Sequence, residues 1–157
     1  MRWGPALTSF VRAPAPVKGL AVEAALCLAF ARIVTLMAPR FYTRWLGNLE
    51  PSLGDCATRP VTAADDQATI RAARISHVVE RVAQRMPFRA KCLQSAIAAR
   101  LMLTRRGYEP VVYLGVAAKK EHRVDSDRAA HSWVAVSGVI VCGAAEVEAC
   151  LPVGRFV

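Results

Sequence analysis

Five cysteines and three histidines stand in the chain: Cys27, Cys56, Cys92, Cys142 and Cys150; His77, His122 and His131. Their types allow either a metal site or a thiol nucleophile with a proton-accepting imidazole. No Cys-x-x-Cys pair occurs, and no spacing among Cys and His matches a structural zinc site, so no metal and no cofactor is expected. Nucleophilic chemistry is the better match to Cys92. It opens the stretch "CLQSAIAARLMLTRRG" (92–107), which reads as a helix. The free N–H groups and the dipole of a helix start stabilise a thiolate, and Lys91 adds positive charge. A thiol so placed becomes a strong nucleophile when a base lies within hydrogen-bond reach.

Three histidines compete to be that base. His77 lies inside a helical stretch between Ile75 and Val78 and reads as a partly exposed helix residue. His122 falls in the charged loop "KKEHRVDSDR" (119–128), where solvation is the default. His131 begins the alternating run "HSWVAV" (131–136), a strand that would place His131, Trp133, Ala135 and Ser137 on one face. A base held on a rigid element is better placed than one on a loop. Trp133 is a candidate wall of the substrate cleft, with burial in the core as the alternative. By type and order alone, Cys92 and His131 remain open between a working pair and two structural residues.

The elements that would position these groups follow from pattern. Residues 1–16 carry Pro5, Pro14 and Pro16 and read as an irregular lead-in. The apolar stretch 17–38 predicts a helix stopped by Pro39. It superficially resembles a signal peptide or a membrane span, but Glu23 and Arg32 interrupt it. At about 100° per residue these two charges lie on opposite helix faces, so a crossing would bury both. A helix packed on the domain, or touching a membrane surface peripherally, is the expectation.

"RFYTRWLG" (40–47) reads as a short basic-aromatic helical turn, and 48–60 as a loop. "TAAD" (62–65) reads as a capping box opening a helix to Met86, with Ile75, Val78, Val79, Val82 and Met86 as its buried stripe. Strands are expected at 110–117, 131–136 and 139–143, with Ser137-Gly138 as a tight turn, and a short helix near 144–150. The sum is α+β: N-terminal helices, then a helix packed on an antiparallel sheet. The expected division is 1–60 as a helical extension and loop, and 61–157 as the core.

The chain has 157 residues, enough for one domain with a real core, and 54% hydrophobic residues exclude a disordered segment. Its formal charge of +9 attracts anionic partners. The basic residues are scattered, however, without an Arg/Lys tract interleaved with aromatics, so no nucleic-acid site is expected. An odd number of cysteines, one of them within an apolar helix, fits a reducing cytoplasm better than a disulfide framework.

The words around the pair carry a resemblance. Cys92-Leu93, the Ala/Leu-rich helix ending in Arg105-Arg106-Gly107, the strand with Gly115-Val116 and "AHSWV" (130–134) are all present. Together they resemble the transglutaminase-like cysteine peptidases and, more closely, the lasso-peptide leader peptidases, the protease half of the B maturation protein. The resemblance covers most of the chain and is strongest over 92–143. It implies a papain/transglutaminase-like core with Cys92 as nucleophile and His131 as base. The implied reaction is removal of the leader from a ribosomally made precursor peptide. The implied partners are that precursor, a separate leader-recognition protein and an ATP-dependent lasso cyclase that closes the macrolactam. Amine transfer of the transglutaminase type, or a degenerate scaffold, is the alternative.

One position departs from the family pattern. The acid that orients the histidine usually stands on the following strand, often within an Asn-Asp pair, where this chain has Cys142-Gly143. Glu146 is the nearest downstream carboxylate and the candidate orienting acid; a backbone carbonyl is the other way to hold the ring.

Overall fold

The computed structural model describes residues 15–37, 43, 46–51, 59–117 and 130–157. Among the described residues, three helices, α1 (Ala15–Leu36), α2 (Gln67–Ala83) and α3 (Cys92–Thr104), lie with six strands, β1 (Leu49–Pro51), β2 (Arg59–Pro60), β3 (Val111–Ala117), β4 (Ala130–Val136), β5 (Val139–Cys142) and β6 (Cys150–Phe156). A 3₁₀ helix, Ala144–Ala149, joins the last two strands. The sheet runs β1-β6-β3-β4-β5-β2. Every neighbouring pair is antiparallel except β2 with β5, so the α+β sheet is mixed rather than purely antiparallel.

α3 sits at the centre. Ala96, Ile97, Ala98 and Ala99 are consecutive and all buried, which requires cover on every side of the helix. Sheet residues Val112, Val134, Val136 and Val141 cover one side, and the residues of α1 and α2 in the same cluster cover the rest. On α3 Ile97 is buried, while Leu93 and Leu101 are only partly buried. In α2 the fully buried line is Thr69, Ala72, Ser76 and Val79; Ile75, Val78, Val82 and Met86 pack partly buried beside it. Small residues on the buried line let the helices approach closely. Val79 of the expected stripe is fully buried, and its other members pack against the same core.

α1 enters this core through Ala24, Leu28, Ala31 and Val34, spaced one per helical turn. Its two charges find partners in the fold. Glu23 pairs with Arg105 and Arg106 at the end of α3, and the Arg106 hydrogen bond holds its carboxyl below the usual range despite partial burial. Arg32 lies over the Phe88 ring, 5.8 Å from its centroid. By length and composition Lys18–Leu36 could cross a membrane; here one face is in the core, while Val22, Leu26, Ile33 and Leu36 face outward. The segment expected as an extension thus supplies α1, β1 and β2 to the same core and sheet.

Three local expectations change. Asp65 does reach back to the Thr62 N–H at 2.6 Å, but this closes a turn, and α2 begins later. Its cap is Asp66, whose carboxylate accepts the Thr69 N–H at 2.6 Å. Beyond the short helix, where no strand was expected, the chain forms a seven-residue strand: β6 pairs with both β1 and β3. The expected turn at 40–47 falls largely outside the described residues, as do Cys56 and the charged loop with His122.

Candidate active site

Cys92 is the first residue of α3. Lys91 precedes it in extended conformation, and Gln94 Oε1 accepts the Lys91 N–H at 3.0 Å, fixing the angle at which the chain enters the helix. Gln94 is itself buried, and its Nε2 donates to Thr35 Oγ1 at 3.0 Å. The start of the helix is therefore tied to α1, which no sequence pattern announced. First-turn N–H groups, which an α-helix cannot satisfy internally, lie at the Cys92 position.

β4 delivers the imidazole. His131 follows Ala130, whose carbonyl is 3.9 Å from Cys92 Sγ. The His131 Nε2 lies 2.9 Å from the carbonyl oxygen of Gly143. A carbonyl only accepts, so Nε2 carries the hydrogen and the neutral ring has its lone pair on Nδ1, the nitrogen left for the thiol. The orienting group is thus a backbone carbonyl at the very place where an acid is usual. Glu146 lies in the 3₁₀ helix, with its side chain outside the described residues.

Glycine is needed at 143 for two reasons. Its φ of 79° is left-handed, and a Cβ there would come within 3.0 Å of the Ser132 carbonyl oxygen. On its other side, the Gly143 N–H donates to Glu80 Oε1 of α2 at 2.8 Å.

Trp133 is fully buried. It stacks on Tyr113 with centroids 5.7 Å apart, and on the His131 ring at 6.0 Å with 20° between planes. The expectation of a cleft wall gives way to the core alternative: an indole with no exposed surface cannot touch substrate, but it does support the plane of the imidazole. Gly115 makes room for it, since a Cβ there would lie 2.8 Å from the indole.

Ser132 was not singled out by sequence. It is buried, and its hydroxyl has no oxygen or nitrogen partner. It lines the same cavity as Cys92 and His131. Burial raises the Cys92 thiol pKa, but hydrogen bonding by His131 and by the Ser132 hydroxyl and N–H outweighs it, and the pKa is lowered to about 7. Burial instead raises Cys27, and raises the Cys142 thiol much further. Alkylation of Cys92 should therefore climb with pH to a plateau, half-maximal near pH 7, because the thiolate is lost as pH falls through its pKa. Cys27 and Cys142 should stay unreactive there. Peptide mapping after iodoacetamide treatment at graded pH checks this.

The dyad opens into a cavity of about 970 Å³ lined by Cys92, His131, Ser132 and Gly143. A second cavity of about 1220 Å³ adjoins it between α2 and β5, sharing Glu80, Cys142 and Gly143. Among the described residues, no group of three or more His, Cys, Asp or Glu is arranged to hold a metal ion. His77 is exposed on α2, with Nδ1 4.0 Å from Glu80 Oε2.

A family model described as the transglutaminase-like superfamily matches residues 33–153. The chain belongs to that superfamily. The match spans α2, α3, β1 to β5 and the start of β6, so the helix-start cysteine and strand-start histidine fall within it. The superfamily covers cysteine peptidases and acyltransferases, a scope that matches a thiol beside an imidazole. No curated protein and no solved structure matches the chain.

Proposed function

We propose that this transglutaminase-like protein is a cysteine endopeptidase that removes the leader from a ribosomally made lasso-peptide precursor. Cys92 is the nucleophile and His131 the base. The observation that carries the chemistry is the His131 ring: Nε2–H is committed to the Gly143 carbonyl, leaving Nδ1 for a thiol whose pKa is about 7.

The steps follow from this geometry. His131 Nδ1 takes the thiol proton, and Cys92 Sγ attacks the carbonyl carbon of the scissile peptide. The N–H of Cys92 at the helix start is the donor within reach of the oxyanion. Imidazolium then protonates the leaving amine, the C–N bond breaks, and a thioester to the leader remains. Water, deprotonated by the same imidazole, hydrolyses it and restores the thiol. The freed amine of the core peptide passes to an ATP-dependent cyclase, and a separate recognition protein presents the leader. The setting is the cytoplasm, where thiols stay reduced.

Membership of a superfamily that includes acyltransferases favours one second reading, transfer of the thioester to an amine rather than to water. Product mass separates the two. Precursor incubated with this protein and a candidate recognition protein should yield a leader fragment heavier by one water. A leader fragment carrying an added amine would replace the peptidase reading with acyl transfer, and intact precursor with every cognate recognition protein would remove both.

A further inference from the structure

The grip on the histidine does not end at Gly143. Glu80 lies on α2, across the junction of the two cavities, and lines both. Its Oε1 accepts the Gly143 N–H at 2.8 Å, while the carbonyl of the same residue receives His131 Nε2 at 2.9 Å. Gly143 is thus held between a carboxylate and an imidazole. Glycine is the residue least able to hold such a position by itself, having the widest conformational freedom and here a left-handed φ of 79°. A carboxylate accepting a backbone N–H makes a stronger bond than a neutral acceptor. The same carboxylate bonds the neighbouring Cys142 thiol, contributing to its raised pKa after burial.

We propose that Glu80 is the positioning residue of the site, taking over from helix α2 the duty that a strand-borne acid performs elsewhere in such dyads. It acts through Gly143. By fixing the Cys142–Gly143 peptide just ahead of the 3₁₀ helix, it limits how Gly143 can turn, aims the Gly143 carbonyl at Nε2 and so fixes the ring tautomer and the direction of Nδ1. Its negative charge also favours the imidazolium that forms when the Cys92 proton moves. The ionisable groups around it are Arg74 and His77 on its own helix, Cys142 on β5, His131 on β4, and Arg89 and Lys91 ahead of α3. His77 is 4.0 Å from its outer oxygen and on the solvent side, so it competes weakly for the carboxylate.

This proposal rests on the Cys92–His131 reading, and its test needs no peptide substrate. Iodoacetamide labelling of Cys92, followed on the Cys92 peptide across pH, is compared in wild type, E80A, E80Q and E80D. Labelling of E80A at pH 7 should fall about 5-fold, with the half-maximal pH displaced upward. E80Q keeps an oxygen acceptor of the same reach but loses the charge, and should recover part of the rate, falling between E80A and wild type. E80D draws the carboxylate back by about 1.5 Å and should behave like E80A. Should E80A not fold, E80Q and E80D decide the matter, being close to isosteric or smaller by one methylene.

A profile unchanged in E80A or, failing that, in E80D overturns the proposal, as does a lowered melting temperature with the profile intact. A wild-type profile that H131A leaves unmoved points elsewhere, to failure of the dyad itself.

Discussion

C92A should abolish precursor cleavage, with the rate down at least ~10³-fold, because the bond that carries the acyl group can no longer form. What survives is binding and the helix-start donor, which can assist only direct attack by water and cannot form the thioester. The fold should survive the change. Cys92 is half-buried at the first position of α3, and alanine is a better helix former there. The entry to the helix is set by Gln94 and Lys91, neither of which uses the sulfur. Thermal unfolding within about 1 kcal/mol of wild type, beside undetectable cleavage by mass spectrometry, is the expected pair of results. Cleavage at the wild-type rate would end the nucleophile assignment.

H131A should lower turnover by about 10²–10⁴-fold and should also change the thiol. Burial pushes the Cys92 pKa up, and His131 is foremost among the groups opposing it. Without the ring the pKa should rise from about 7 toward its ordinary value of 9, because only the Ser132 hydrogen bonds are left to oppose burial. At pH 7 the thiolate fraction, and with it the alkylation rate, should drop several-fold, by up to about 50-fold. The direction is what matters: the wild-type thiolate persists down to about pH 7, and the variant loses it well above that. The variant also uncovers the Gly143 carbonyl and one side of Trp133, so its stability should be measured alongside. An unmoved alkylation profile in a folded variant would show that His131 does not serve Cys92.

Much of the site lay open in the residues themselves. A helix beginning at Cys92 follows from "CLQSAIAARLMLT", since helix periodicity and helix-forming residues are local properties. A strand beginning beside His131 follows from the alternation of "AHSWVAV". These two elements carry the proposed nucleophile and base, and their words resemble the superfamily whose model matches 33–153. The α+β class followed from the order of helices and strands for the same reason.

Other features could not be read that way. Strands β1 and β2 are three and two residues long, and hydrogen bonds to distant partners define them rather than any periodicity. The buried line of α2 runs through Thr69, Ala72 and Ser76 because close helix approach favours small residues over greasy ones. Trp133 could have faced the cleft or the core, since alternation names a face without saying what covers it; Tyr113 and the rest of its cluster cover it.

The histidine's orientation shows the division most clearly. From sequence, Cys142-Gly143 looked like a gap where an acid was missing. In the fold it is a carbonyl aimed at Nε2, with Glu80 from another helix behind it. Local sequence determined which residues could do the chemistry and which elements carry them, because those depend on short-range pattern. Only tertiary structure decided what holds the imidazole, because a backbone carbonyl has no side-chain signature and its alignment depends on residues 63 positions apart meeting across a helix–strand contact.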